Sequence, residues 1–511
     1  MNGVATAIAL SLISHTNAGK TTLARTLLGR DVGEVRDAPN VTVEATPYPM
    51  ISTPEGDTLV LWDTPGFGDS TRLARRLAQQ GNPIGWFLSQ VWDRFRDRAF
   101  WLSQQAVANV RNESDVVLYL VNASETPSDA GYVAPEMDVL AWIGKPVIVL
   151  LNQTGKPRPH DEEAADEARW REAFGTRPLV RAVVSLDAFA RCWVQEIALL
   201  RLIGDVLDES KRSAHERLVR AWQRKRFAQF DQAMHALADP IARAACDSEP
   251  VVETGFKRTL VDLGRAIGLR KSEADDPRTA ASNALASRLD ADIRAGTDRL
   301  IAIHDLSGHA SQVIRERLAG VELDAPMDEG KAAMMGGVVS GALGGLAADL
   351  AAGGLTFGAG ILTGAILGAL GGAGIARGMN LATGATGAKL RWDDALLQSL
   401  IAPALLRYLA VAHYGRGRGE WVETEYPPFW APLVTRIVDA RSATFSAVWS
   451  AREQNCDVDA FRTRLHAALT VAARETLEAL YAGRVDWDAV PLQTLEQRHQ
   501  SLEPLAVRGP Q

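Results

Sequence analysis

The stretch "SHTNAGKTT", residues 14–22, differs at one position from a complete phosphate-binding loop. The pattern G-x-x-x-x-G-K-[ST] places a tight turn between a strand and a helix, where backbone N–H groups and the helix N-terminus collect phosphate oxygens. Gly19, Lys20 and Thr21 fill its end, and Ser14 stands where its first glycine belongs. Glycine at that position tolerates unusual dihedrals at little cost, so Ser14 adds modest strain. In this register Asn17, Ala18, Gly19 and Thr22 line the phosphates. Gly19 lets the backbone approach closely, Lys20 reaches the β- and γ-phosphates, and the Thr21 hydroxyl ligates Mg²⁺.

The flanks match the context that the loop requires. Before it, "VATAIALSLIS" (4–14) is a continuous apolar run, as a strand buried on both faces should be. A secretory signal has a similar look, but no Lys or Arg precedes the run and no cleavage spacer follows it. After the loop, "TLARTLLGR" (22–30) reads as a helix. Further strands are expected at "TLVLWD", "DVVLYLVNA", "PVIVLLN" and "LVRAVVS", with helical sequence between them. That alternation predicts a mostly parallel sheet covered by helices on both faces, with ligands at the carboxyl ends of the strands.

Size and composition bound the rest. A chain of 511 residues holds two to four domains, and 47% hydrophobic with 23% charged residues describes a folded protein. A net charge of −7 argues against a DNA-binding protein. Cys192, Cys246 and Cys456 fit no zinc spacing and predict no disulfide framework, which points to a reducing cytoplasm. The expected division is a nucleotide-binding domain at 1–205, a helical region at 206–330, a Gly/Ala-rich apolar hairpin at 331–390 and a C-terminal helical region at 391–511.

A second element supports the first. "VLWDTPGFGDS" puts Asp63, Thr64, Pro65 and Gly66 at the end of a strand about forty residues after Lys20. An aspartate there supports Mg²⁺ through water, and the Gly66 amide senses the γ-phosphate. The loop and this DTPG run together resemble the translation-factor-related class of GTPases, its Era- and TrmE-like branch in particular, over residues 4 to about 190. The resemblance implies GTP as substrate, Mg²⁺ as cofactor and hydrolysis to GDP and phosphate. It also implies a switch threonine that closes over the metal and the γ-phosphate. Thr42 in "DAPNVTVEAT" is the candidate, with Thr46 as the alternative and an edge strand as the bland reading. The class uses N-K-x-D for the base. Here Asn152 matches, Gln153 replaces the Lys and Gly155 replaces the Asp. Loss of that paired acceptor predicts guanine discrimination weaker by roughly a few kcal/mol. Ser185 in "VVSLD" is the candidate for the fifth element beside the base.

Phe67 stands where many small G proteins carry a water-orienting glutamine. TrmE-like enzymes have a hydrophobic residue there too. They use an Asn of the loop to help coordinate K⁺, which offsets charge between the β- and γ-phosphates. Asn17 holds that register, so the resemblance implies K⁺ stimulation; a turn-stabilising Asn is the alternative. Lys20, Asn17 and Thr42 are thus the catalytic candidates, and Thr21, Thr42 and Asp63 the Mg²⁺ set. The arginine-rich segment 72–101 is read as a helix with a solvated charged face, rather than as a source of an arginine for the nucleotide.

Residues 334–376 carry one charge, Asp349, and 350–376 are 27 residues without any. About 20 suffice to span a bilayer. Gly360, Gly364, Gly368 and Gly372 repeat every four residues, a spacing that lets helices approach closely. Lys331, Arg377, Lys389 and Arg391 flank the tract, as for a hairpin with cytoplasmic ends. The expectation is a cytoplasmic protein associated with the inner membrane through 334–376; a soluble packed hairpin is the alternative. Expected partners are GTP and GDP, a membrane surface or membrane protein, and a second copy of the chain. The order of elements also resembles bacterial GTPases with a C-terminal domain of unknown function, which share H-T-N-x-G-K-T, DTPG and N-Q-T-G. On that reading the chain is a GTP-driven switch coupled to a helical, membrane-associated region. The alternative is a weakly hydrolysing or inactive module serving as a membrane scaffold.

Overall fold

The computed structural model describes residues 5–15, 18–32, 45–67, 69–79, 98–155, 157–251, 277–307, 379–384, 387–415, 427–452, 456–484 and 487. The chain divides into two compact units, 1–228 with 412–420 and 477–511, and 229–411 with 421–476.

The first unit is built on a six-stranded sheet. Its strands are β1 (Ala7–Ser14), β2 (Thr46–Ser52), β3 (Thr58–Asp63), β4 (Val116–Asn122), β5 (Val147–Asn152) and β6 (Val180–Ser185), in the order β2-β3-β1-β4-β5-β6. All neighbours are parallel except the β2–β3 pair. The five parallel strands are the five apolar runs of the sequence. Every residue of Val147–Asn152 is buried, because helices cover both faces and no alternation is required. β2 has no such run. Its "TPYPMIS" carries Pro47 and Pro49, which lack a ladder donor and are tolerated on an edge strand. Thr46, the alternative switch threonine, opens this strand opposite Asp63.

The helices of this unit are α1 (Lys20–Leu28), α2 (Ser70–Gln79), α3 (Arg98–Glu113), α4 (Val133–Ile143), α5 (His160–Phe174) and α6 (Trp193–Val206), followed by α7 (Glu209–Cys246), which continues past the unit boundary. One sheet face packs Ile13, Val117, Tyr119, Val149 and Leu151 against Phe67, Phe100, Val107, Met137 and Trp170. From β1 the chain moves outward to β3 and then back across to β4. The carboxyl end of β1 is therefore the switch point of the sheet, where such folds bind ligands. The expected bounds of 1–205 are too narrow. Tyr414 bridges Ala190, and the Arg484 carbonyl accepts from Arg201 at 3.2 Å, so distant C-terminal residues complete the unit.

The second unit is mainly helical. It holds the end of α7, then α8 (Pro277–Ile303), α9 (Asp394–Ser399), α10 (Ile401–Ala412, its end at the unit boundary), α11 (Trp430–Ala440), α12 (Ser442–Ser450) and α13 (Val458–Leu480). It also contains an unforeseen antiparallel sheet, ordered β7-β9-β8, of β7 (Glu249–Pro250), β8 (Met379–Gly384) and β9 (Gly387–Trp392). Two of these strands lie within or across the end of the range 331–390 expected to be an apolar hairpin. Cys246 and Cys456 form a disulfide across 210 residues, contrary to the expectation of unpaired cysteines. Spacing in the sequence gives no sign of it, because the end of α7 and the residues before α13 meet only in the fold. Cys192 is an unpaired, buried thiol, and burial pushes its pKa up to about 12. Residues 334–376 lie outside the described residues. Among the described residues one helical stretch, Asp394–Ala412, is long and apolar enough to cross a membrane (mean hydropathy 1.6), but 72% of it is buried within the protein.

Candidate nucleotide site

The loop leaves β1 at Ser14 and enters α1 at Lys20. Gly19 takes the left-handed conformation, φ 86°, that starts the helix. A Cβ there would also lie 2.8 Å from Asn152 Nδ2, so the position demands glycine twice over. Lys20 is buried, and its Nζ donates to Ser14 Oγ at 3.0 Å. The residue that breaks the pattern thus accepts a bond from the lysine that completes it. Burial lowers the Lys20 pKa, and the carboxylates of Asp63 and Glu136 act against that shift.

Asp63 closes β3 and accepts a hydrogen bond from the Thr21 hydroxyl at 2.6 Å. Its carboxyl is buried, which raises its pKa; Thr21, Lys20 and Arg25 partly offset the rise. Its other oxygen, Oδ1, is buried with no hydrogen-bond partner among the described residues. An orphaned carboxylate oxygen beside a threonine hydroxyl is a fitting donor pair for a small, hard cation such as Mg²⁺. Thr64 ties the strand end to Leu12 through a 2.5 Å bond, and Gly66 follows, half-buried. Phe67 is fully buried; its N–H donates to Ser14 O at 3.4 Å, and its carbonyl accepts from Ser103. Phe67 therefore anchors the DTPG turn in the core and has no polar group with which to orient water.

The base end is held differently. Asn152 Nδ2 donates to Ala18 O and its Oδ1 accepts from Ala188 N, both at 2.8 Å, so one buried amide joins the phosphate loop to the turn after β6. Gln153 takes a positive φ of 61° and Gly155 one of 88°. The carboxylate of Asp187 shapes this turn. It accepts from the Thr154 hydroxyl at 3.0 Å, from Gly155 N at 3.2 Å and from Phe189 N at 2.7 Å. Ser185 has its N–H on Glu167 at 2.8 Å and its carbonyl on Gln195 at 3.5 Å, while its Oγ is buried without a partner among the described residues. Asp187 and Ala188, two and three residues later, make the contacts to the N-Q-T-G turn. Asn17, Thr42 and residues 80–97 of the arginine-rich segment lie outside the described residues. Arg72, at its start, stacks over the Phe100 ring at 4.1 Å, as a charged residue on a packed helix does.

Two family comparisons bear on this geometry. The family of 50S ribosome-binding GTPases, MMR_HSR1, matches residues 10–153, and a domain of unknown function, DUF3482, matches residues 176–432. The chain belongs to the DUF3482 family. Its first unit is a P-loop GTPase domain, followed by a helical region. Among solved structures, Era of Aquifex aeolicus bound to GDP·AlF4− is 19% identical over 40% of this chain and 58% of its own, with a TM-score of 0.30. Era in complex with MgGDPNP and a segment of 16S ribosomal RNA gives the same values. A variant of SsGBP is 18% identical over 35% of this chain and 50% of its own, with a TM-score of 0.21. The chain thus spans 50% to 58% of the length of these neighbours. A search of curated proteins found no match.

Three residues at the site of this DUF3482 protein escape a motif reading. Asp187 lies two residues beyond the "VVS" end of β6 and joins the base turn only through the fold. His15 Nδ1 lies 3.0 Å from Glu136 Oε1, and its ring stacks on Tyr132 at 4.5 Å. Glu136 is fully buried in α4 and accepts from the Tyr119 hydroxyl at 2.7 Å. An acid at a helix position among apolar residues is a visible signal, but its partner is 121 residues away.

Proposed function

We propose that this protein hydrolyses GTP to GDP and phosphate as a Mg²⁺-dependent switch whose state is relayed to the helical C-terminal region. The observation that carries the reading is the buried Lys20–Ser14 and Thr21–Asp63 constellation at the switch point of the parallel sheet, with Asp63 Oδ1 left without a partner. Lys20 would offset the β- and γ-phosphate charge, and Gly19 would bring the loop backbone against it. Thr21 directly, and Asp63 through water, would hold Mg²⁺, which when bound neutralises charge on the phosphates. Thr42 and the segment Asp63 to Phe67 would be the two switches, ordered by the γ-phosphate. Asn17 would help hold K⁺ beside the phosphates, and Asn152, Gln153 and Ser185 would lie toward the base.

Ser14 is the residue whose role shifts most on this reading. When a triphosphate draws Lys20 away, Ser14 Oγ would lose the bond it accepts and keep the one it donates to the His15 carbonyl. Membrane association through 334–376, with the protein at the cytoplasmic face of the inner membrane, is proposed on the charge-free run 350–376 and the glycine spacing alone.

Phosphate release by the full chain with GTP and Mg²⁺, in KCl against NaCl and with ATP in parallel, tests the proposal. Turnover of GTP that rises in K⁺ and vanishes in Lys20→Ala is expected. Absence of turnover in both salts would leave a nucleotide-binding scaffold as the better description.

A further inference from the structure

Far from the phosphate loop in sequence, the second unit assembles two histidines and an aspartate. Asp231 and His235 lie one turn apart on α7, a spacing that puts them on one helix face. His466 comes from α13, 231 residues after His235. His466 Nε2 is 3.0 Å from Asp231 Oδ1, and His235 Nε2 is 3.8 Å from Asp231 Oδ2. One donor atom from each residue lies within 4.8 Å of the other two. We infer that Asp231, His235 and His466 form a binding site for a divalent transition metal of the zinc type.

Four features favour a metal over a plain His–Asp pair. The two imidazoles stack at 3.7 Å between centroids, with planes 13° apart. The stacking keeps one nitrogen of each ring within reach of the Asp231 carboxylate. His466 Nε2 is buried and, among the described residues, has no hydrogen-bond partner, although Asp231 lies beside it. The side chains are 12% to 32% exposed, which leaves an entry path and room for water ligands. The neighbouring cation, Arg462, one turn before His466, is held by Asp239 at 2.7 Å and Asp459 at 2.6 Å, so its charge is already balanced.

Ligand atoms about 2.0–2.2 Å from one zinc lie roughly 3–3.5 Å apart, a range bracketed by the separations seen here. Rotation of the imidazoles about their ring torsions converges them. Two imidazoles and one carboxylate, with positions left for water, suit Zn²⁺, Co²⁺ or Ni²⁺ rather than Mg²⁺ or Ca²⁺, which take oxygen. The bound ion would clamp α13 to α7. The Cys246–Cys456 disulfide joins the same two segments, since Cys246 ends α7 and Cys456 lies two residues before α13.

The test is a titration of the nucleotide-free full chain, stripped with chelator, with CoCl₂ read by visible absorption and ZnCl₂ read by competition. The expected result is one equivalent of Co²⁺ with the absorption of a nitrogen- and oxygen-ligated ion, displaced by Zn²⁺. Affinity should fall about 100-fold in His466→Ala and in His235→Ala, and stay unchanged in His160→Ala, a control on the surface of the first unit. His466→Asn keeps a polar side chain and serves if the alanine variant does not fold. Absence of a one-equivalent transition in the wild type would overturn the site, as would binding of equal affinity in the His235→Ala and His466→Asn variants.

Discussion

The two ends of the nucleotide site are built on different plans. At the phosphate end, the residues that meet are close in sequence or sit at the ends of adjacent strands. Lys20 reaches back six residues to Ser14, and Thr21, in the first turn of α1, reaches Asp63 at the end of β3, the strand paired with β1. At the base end, the turn Asn152–Gly155 is shaped from a distance by Asp187 and Ala188. The phosphate end keeps an unpartnered carboxylate oxygen, whereas the Asp187 carboxylate is occupied by three bonds within its own loops. The first plan leaves chemistry unfinished for a ligand to complete. The second satisfies its polar groups internally, in keeping with a site that grips phosphates more strictly than it reads the base.

Lys20→Ala should break the phosphate end outright. Loss of a buried cation facing phosphate predicts nucleoside triphosphate binding weaker by about 100- to 1,000-fold, measured by calorimetry. Phe67→Ala attacks the same end through the core: a fully buried aromatic ring is lost beneath the DTPG turn, and unfolding of the first unit should be easier by about 3–5 kcal/mol in a denaturant series. Asn152→Ala tests whether the two ends are separable. It removes two buried hydrogen bonds and leaves the Ala18 carbonyl and the Ala188 N–H exposed to loss, so GTP and ATP affinities should fall together, by about 2–3 kcal/mol. Asp187→Ala should act on the base end alone. The GTP-to-ATP preference should change by about tenfold, while the Mg²⁺ dependence of binding stays as in the wild type.

The smallest effect lies at the other end of β3, away from the site. Asp57 precedes β3 and is bound by Arg217 at 2.6 Å; that bond holds its carboxyl below the usual carboxylate range. Its folded pKa is depressed, so its contribution to stability is full above the unfolded value and disappears as pH falls through the folded one. Thermal melts of Asp57→Asn should therefore converge on the wild type in acid and separate from it at neutral pH.

The same contrast explains what the sequence disclosed. The five parallel strands are contiguous apolar runs, and "SHTNAGKTT" and "DTPG" are contiguous motifs. Their places in the fold follow from buried-strand chemistry and from the switch point of the sheet. The edge strand β2 hides behind its prolines, and β8 and β9 carry glycine and charge in place of an apolar run. Asp187, the His15–Glu136 contact, the Cys246–Cys456 bond and the Asp231–His235–His466 cluster each join residues whose proximity only packing creates. Cys192 shows the limit of residue type as a guide: its spacing is no different in kind from that of the paired cysteines, but it is enclosed in the core.

The most direct test of the account is a calorimetric titration of the full chain, with Mg²⁺ present, by GDP and by ADP, in wild type and in Asp63→Ala. Strands, loop and orphaned carboxylate together predict stoichiometric binding of GDP, a preference over ADP that is measurable but modest, and a clear loss of Mg²⁺ dependence in Asp63→Ala. Absence of GDP binding, or binding whose Mg²⁺ dependence is the same with and without the Asp63 carboxylate, would contradict it.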